Sequence, residues 1–243
     1  SSAGSGYINK FKHLMFLPLN SFLSVKSRHI SELTPGKVLD FGCGNGEFMS
    51  LSQRFGWQAK GFDLDENAVS TAKKLNLDVV QGGLSDLIEE KSDKYDLITL
   101  SPVIEHVYEQ DKLIQECYRL LKPGGRLWLE TPNCRSLGLS LFGKNWRGLE
   151  PPRHIVLFTL DRVHRVLLNS GFNKMENRRH PLSSVYMSMK SERNRMLSSS
   201  SENNTNKMDV FSFVRFLAYS FIVEIAQAIF QDRSEFITVI AVK

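Results

Sequence analysis

The run Val38-Leu39-Asp40-Phe41-Gly42-Cys43-Gly44-Asn45-Gly46-Glu47-Phe48 constrains this chain more than any other stretch of it. Apolar residues suited to a strand lead into three glycines at alternate positions, and a helix-forming sequence follows. Glycine lets the backbone turn sharply and lets a ligand come close where a side chain would block it, and a helix that starts just after the loop offers free N–H groups. The spacing Asp-x-Gly-x-Gly-x-Gly is not the Gly-x-Gly-x-x-Gly of dinucleotide-binding loops, and no Gly-Lys-Ser/Thr follows as a phosphate loop requires. A nucleotide-like ligand is expected at this loop.

The pattern on either side gives the loop its setting. Residues 11–33 are apolar-rich and read as one or two leading helices, with Pro35-Gly36 as the break before the first strand. Strands and helices then alternate: strand 37–41, helix 46–55, strand 57–63, helix 66–75, strand 77–81, strand 95–100, helix 111–121 closed by Lys122-Pro123-Gly124-Gly125, and strand 126–130. Such alternation implies a parallel sheet with helices on both faces and ligands outside the carboxyl ends of its strands. Asp63 ends the second strand, about twenty residues from the loop, where a carboxylate can accept bonds from both hydroxyls of a ribose.

After the fifth strand the period loosens. A helix is expected over 161–168 and a sixth strand over 172–177. Residues 180–208 contain Ser198-Ser199-Ser200-Ser201-Glu202-Asn203-Asn204, too polar to bury, and read as a mobile loop. Asp209 is suited to cap an apolar helix reaching Gln231, and residues 236–242 read as a final strand. The expected division is a leader with helices over 1–34, a ligand-binding core over 35–179, an inserted loop and apolar helix over 180–232, and a last core strand over 233–243.

Composition narrows the class. A length of 243 residues with 42% hydrophobic content supports one large domain with an appendage. Cys43, Cys117 and Cys134 are odd in number and lack paired spacing, which argues against a disulfide framework or a zinc cluster and for a reducing compartment, with the cytoplasm as expected location. Ser1 to Gly6 is small and polar, without the pattern of a cleaved signal. The net charge of +5 is scattered. Its local concentrations, Arg178-Arg179-His180 and Arg193-Asn194-Arg195, lack the interleaved aromatics of a base-stacking platform, which argues against a nucleic-acid partner.

Four segments in register resemble the class I S-adenosylmethionine-dependent methyltransferases: the glycine loop, Tyr95-Asp96-Leu97-Ile98-Thr99-Leu100, Ile104-Glu105-His106-Val107, and Leu120-Leu121-Lys122-Pro123-Gly124-Gly125-Arg126. A fifth, Leu141-Phe142-Gly143-Lys144-Asn145-Trp146-Arg147-Gly148-Leu149-Glu150-Pro151-Pro152-Arg153-His154 with Leu157-Phe158-Thr159, resembles bacterial methyltransferases of envelope-polysaccharide and small-metabolite pathways. The core is similar to the ubiquinone-pathway O-methyltransferases. The resemblance implies a doubly wound, mainly parallel seven-stranded sheet and S-adenosylmethionine as cofactor, with S-adenosylhomocysteine as product. It further implies that Gly42, Cys43, Gly44 and Gly46 line the methionine end, that Asp40 helps hold its ammonium through the loop, that Asp63 takes the ribose and that Leu64 packs on adenine. Many relatives carry an acid after the third strand. Here glycines stand there, and Gly83 and Leu84, or Asp86, are expected to substitute, with Ser101 also at the cofactor.

The acceptor side is read from the later segments. His154 follows Pro151-Pro152-Arg153 where the family's acceptor pocket lies, and its imidazole titrates near neutrality, so it is the candidate general base; the alternative is a histidine that merely holds the loop. Glu105 and His106 form a second candidate catalytic pair, against a helix-capping and packing role. Some ubiquinone-pathway relatives have a further Glu three positions earlier and hold a divalent metal; here Pro102 stands there, so no metal is expected. Trp146, Arg153 and Tyr186 are assigned to the acceptor pocket, although Arg153 has a ready partner in Glu150. Ser101-Pro102 starts like the motif of amino-group methyltransferases, but Val103 and Ile104 break it. The expected reaction is O-methylation of a sugar, lipid-linked saccharide or small metabolite, against N- or C-methylation or a scaffold that binds cofactor without catalysis. The apolar segment 210–230 suits core packing, a homodimer contact, or peripheral contact with a lipid carrier or the inner membrane.

Overall fold

The computed structural model describes residue 28 and residues 30–178, 183–199 and 210–243. Most of the expected leading helices, Asp209, and the serine-rich stretch from residue 200 on lie outside the described residues. The strands are β1 (Lys37–Phe41), β2 (Gln58–Asp63), β3 (Asp78–Gln81), β4 (Tyr95–Leu100), β5 (Leu121–Pro132), β6 (Lys174–Arg178) and β7 (Phe236–Val242). The helices are α1 (Glu47–Arg54), α2 (Glu66–Lys74), α3 (Leu84–Ile88), α4 (Gln110–Leu120), α5 (Leu137–Phe142), α6 (Leu160–Asn169), α7 (Ser183–Ser199) and α8 (Val210–Ile229).

All seven strands form one sheet in the order β3-β2-β1-β4-β5-β7-β6. The first five are parallel, while β7 runs antiparallel to both β5 and β6. This is the Rossmann-like methyltransferase arrangement. β1 is buried from Val38 to Phe41, as a strand covered on both faces must be. One apolar layer gathers Leu39, Ile98, Leu127 and Val239 with the buried faces of α4 and α6. The other gathers Val38, Leu97, Trp128 and Ile240 with those of α1 and α2.

Two local features differ from the sequence reading. β5 starts at Leu121 rather than 126, with a register irregularity against β4 between Tyr95 and Leu97. Gly124 takes φ +78°, and a Cβ on Gly125 would lie 2.8 Å from the Lys122 carbonyl, so the glycine pair lets the strand carry the extra residues without ending. α3 and α5 are short turns of helix that no apolar period announces. α5 is nonetheless capped in the ordinary way, by Ser136 accepting from the Leu139 N–H at 3.0 Å.

The mobile loop expected over 180–208 is a correction. Residues 183–199 are the helix α7, whose inward face carries Met187, Ser188, Ser191 and Glu192. The serines and the glutamate fill positions where an apolar residue would have signalled a helix. Two of them have tertiary partners: Ser191 Oγ accepts from the Arg147 N–H at 2.9 Å, and Glu192 Oε1 is gripped by Arg195 and Arg215, while Glu192 Oε2 has no hydrogen-bond partner among the described residues. The second of those ion pairs joins α7 to α8.

Candidate functional site

Strand order reverses at β1, which lies between β2 and β4, so a crevice opens beyond its carboxyl end. The glycine loop turns there under restraint from β2. The N–H groups of Gly42 and Cys43 both donate to the Phe62 carbonyl, at 2.7 and 3.1 Å. Gly42 (φ +77°) and Gly46 (φ +80°) have backbones that disfavour side chains, and a Cβ would strike Val103 Cγ2 at 2.4 Å and Leu77 Cδ1 at 2.2 Å. Those two glycines serve packing. At Gly44 a Cβ would meet nothing within 4 Å, and that open space is where a ligand can approach.

Asp63 closes this half. Its Oδ2 accepts from the Gly44 N–H at 2.7 Å and its Oδ1 from the Asp65 N–H at 2.9 Å, which fixes the carboxylate while leaving lone pairs for a diol. Capping of α2 falls instead to Asp65, which accepts from Asn67 and Ala68. Leu64 is 76% exposed, far too much for a core residue, and Gly83 faces it: a Cβ there would lie 3.2 Å from Leu64 Cδ2. The Gly83 N–H donates to Asp86 Oδ2 at 2.8 Å, a bond that holds the Asp86 carboxyl below its usual range. Leu84 packs half-buried against the core.

The other expected donor-side residues are held by partners within the protein or buried. Asp40 is buried, paired with Arg28, and accepts from the Thr99 hydroxyl at 2.6 Å. Burial pushes its carboxyl up even against the Arg28 charge, and its Oδ2 has no hydrogen-bond partner among the described residues. Asp40 therefore braces the loop from beneath. The Cys43 thiol is buried and pushed up to about 12, chiefly by desolvation, so it is inert. Ser101 donates to Glu130 Oε1 at 3.1 Å, tying the end of β4 to β5.

The second half forms where a 3₁₀ turn, Ile104–His106, meets residues 150–156. Val103, packed on Gly42, starts that turn against the glycine loop. The Glu105 carbonyl accepts from Ile155 at 2.8 Å and Val156 at 3.3 Å, which joins the two segments. His106 Nδ1 lies 2.8 Å from the Arg153 carbonyl and His154 Nδ1 lies 2.7 Å from the Gly148 carbonyl. A carbonyl only accepts, so both Nδ1 atoms carry the proton and both Nε2 atoms present lone pairs. The rings meet edge to face at 4.8 Å.

Glu105 lies beneath them, 1% exposed. Its Oε2 accepts from the Thr131 hydroxyl at 3.0 Å; its Oε1, without a hydrogen-bond partner among the described residues, is 3.9 Å from His154 Nε2. Burial raises the Glu105 carboxyl to about 7 and lowers the His154 imidazole, so both favour their neutral forms. Glu150 Oε2 stands 3.6 Å from the same Nε2. Partial burial opposes its ionisation, but Arg147 and Arg153 overcome that and keep it below its usual range. All three candidate catalytic residues thus come together, and ligand atoms of Glu105, His106 and His154 lie within 4.8 Å of one another. Two imidazoles and a carboxylate also suit a transition-metal dication, a capacity that Pro102 had argued against and that His154, brought in from a distant segment, supplies.

The expected acceptor pocket needs revision. Trp146 is 1% exposed and packs with Phe142 and Met187, and its indole N–H donates to buried Glu235 at 2.7 Å. It is a core anchor rather than an exposed wall. Glu235 also accepts from the Gly138 N–H at 2.8 Å, so one carboxylate fixes both α5 and the segment before the histidine. Nothing in the local sequence marks Glu235 for this role, because its partners lie 89 and 97 residues away. Arg153 pairs with Glu150 at 3.0 Å, while its carbonyl orients His106. Tyr186 stands 47% exposed on α7.

This sheet order, with an antiparallel β7 and a glycine loop at the reversal, defines a class I S-adenosylmethionine-dependent methyltransferase. The chain belongs to that class: the family model described as a methyltransferase domain matches residues 16–177, more than half its length. It is 33% identical over 125 residues to the ubiquinone biosynthesis O-methyltransferase of Xanthomonas oryzae pv. oryzae, a match that covers 48% of this chain and 52% of the relative. The chain therefore spans about half the length of the curated relatives it matches. A SAM-dependent methyltransferase from Archaeoglobus fulgidus shares the fold with TM-score 0.60 and 21% identity, over 94% of this chain and 99% of that one. Phosphoethanolamine N-methyltransferase 2 of Haemonchus contortus does so with TM-score 0.61 and 20% identity, over 92% and 52%. No helix among the described residues is long and apolar enough to cross a membrane.

Proposed function

We propose that this chain transfers the methyl group of S-adenosylmethionine to a hydroxyl oxygen of a sugar, lipid-linked saccharide or small metabolite, with His154 as general base. The observation that carries this reading is the 2.7 Å contact of His154 Nδ1 with the Gly148 carbonyl, which requires the proton on Nδ1 and so leaves a basic Nε2 inside the cluster. The name of the curated relatives, O-methyltransferases of ubiquinone biosynthesis, supports oxygen as the acceptor atom.

The bound cofactor supplies an activated methyl group on a sulfonium, and the protein aligns the acceptor, excludes water and removes a proton. The gap at Gly44, the oriented carboxylate of Asp63 and the outward apolar face of Leu64 fit the amino-acid, ribose and adenine parts of that molecule in turn. His154 Nε2 takes the hydroxyl proton as the oxygen becomes nucleophilic. The imidazolium so formed keeps its bond to Gly148 and faces the ionised Glu150 carboxylate 3.6 Å away. Arg147 and Arg153 keep Glu150 ionised, and thereby support His154 as a base.

The test is transfer of a labelled methyl group to fractionated cell extract, with the product identified by mass spectrometry. A product methylated on oxygen, lost with His154→Ala, is expected. Full turnover by His154→Ala would replace this reading with N- or C-methylation. Cofactor binding without transfer to any fraction would leave a scaffold.

A further inference from the structure

α8 is amphipathic with its apolar side turned outward. Phe216, Ser220 and Val223 face the protein, whereas Val214, Leu217, Phe221, Ile222, Ile225 and Ile229 are between 47% and 68% exposed. At 3.6 residues per turn these six fall within roughly 140° of the helix circumference. They make a stripe on the order of 22 Å long. Scattered exposed apolar side chains are ordinary on a protein surface, but a continuous stripe marks something that covers it.

The neighbouring helix indicates what. α7 lies antiparallel to α8, since Glu192 meets Arg215 and Met187 clusters with Tyr219. Its outward residues are Tyr186, Met189, Lys190 and Arg193, two apolar and two basic. Of the acids on this helix pair, Glu192 is buried in its ion pairs and Glu224 is half-buried and partnered, so the described face exposes basic charge without acid to match it. A second copy docked on the same face would bring more basic charge. An anionic lipid surface supplies the missing negative charge, and its acyl region accepts the stripe.

We propose that the outward face of α7 and α8 docks on anionic membrane, with Phe221, Ile222 and Ile225 inserted at the headgroup boundary and Lys190 and Arg193 on lipid phosphates. The helix lies on the bilayer and does not cross it. The inference rests on the exposure and charge of this face and uses none of the cofactor-loop or histidine-cluster residues, so it stands or falls independently of the acceptor.

The experiment is sedimentation of the full chain with vesicles of phosphatidylcholine alone or with one third phosphatidylglycerol, alongside its mass in solution by light scattering. The chain is expected to sediment with the anionic vesicles. Phe221→Ser with Ile225→Ser should reduce binding to both vesicle types about tenfold or more, with little change in melting temperature, because Phe221 is 68% and Ile225 47% exposed. Lys190→Glu with Arg193→Glu should remove the anionic preference, at about fivefold or more per charge, and added salt should do the same. Failure to sediment, or binding that the Phe221/Ile225 variant leaves unchanged, overturns the proposal. So does a wild-type dimer that this variant converts to monomer, which would assign the face to self-association.

Discussion

The glycine loop, proposed as the donor half of the site, and the histidine cluster, proposed as its acceptor half, begin on adjacent strands and touch through Val103 and Gly42, yet they are made of different material. The donor half is backbone: glycines, N–H groups and one carboxylate fixed by two of them. The acceptor half is side chain: two imidazoles and a glutamate, oriented by carbonyls brought from 47 residues along the chain in one case and 6 in the other. A backbone site tolerates change in most side chains but not in conformation. A side-chain site does not tolerate loss of its side chains, so the two halves should fail differently when perturbed.

The largest contrast should come from His154→Gln. Turnover is expected to fall about 10²–10⁴-fold while cofactor affinity, measured by calorimetry, stays within about twofold. Wild-type kcat should rise with pH along a limb below the usual histidine value near 6.5, since burial lowers the imidazole. Asp63→Ala is the converse: it removes the diol acceptor and frees both Gly44 and Asp65, so cofactor Kd should rise about 100-fold, from two charge-assisted bonds of roughly 1.5 kcal/mol each. Equal losses of affinity in both variants would abolish the contrast.

Trp146→Phe comes next and separates scaffold from pocket. It leaves the buried Glu235 carboxylate short of a donor, at about 1–3 kcal/mol in denaturant unfolding, with acceptor KM unchanged if Trp146 lines no pocket. Glu105→Gln tests the buried acid. With the carboxyl raised from 4.5 to about 7, the folded state holds more protons than the unfolded one across that window, so this group's contribution declines as pH climbs through it. The decline is about 3 kcal/mol at most, and unfolding of the glutamine variant measured between pH 5 and 8 should show a flatter profile. Smallest is Leu64→Ser: a few-fold weaker cofactor binding, and stability within about 0.5 kcal/mol because the side chain is exposed.

The same contrast explains what could be read from the chain beforehand. Loop, strand and acid of the donor half are local, so spacing alone revealed them, and every strand was found to within a few residues except the start of β5. The acceptor half joins Glu105 to His154 across 49 positions; both were candidates, but their convergence was not visible. Trp146 was misplaced because an aromatic in a loosely patterned segment looks like a pocket wall until its distant carboxylate is seen. α7 was missed because its inward face carries serines and a paired glutamate, and a polar helix held by tertiary partners has no apolar period.

The position of β7 has a further consequence, for the order of assembly. Last of the strands along the chain, it is nonetheless an interior one, with β5 on one side and β6 on the other. Among the described residues β6 pairs with no strand but β7, so the fifth to seventh strands of the sheet cannot close in the order they are synthesised: β6 must wait for a strand made some 60 residues later. Blocking β7, for example with Val239→Pro, would therefore release two strands and uncover Trp128 and Leu129 on β5 at once.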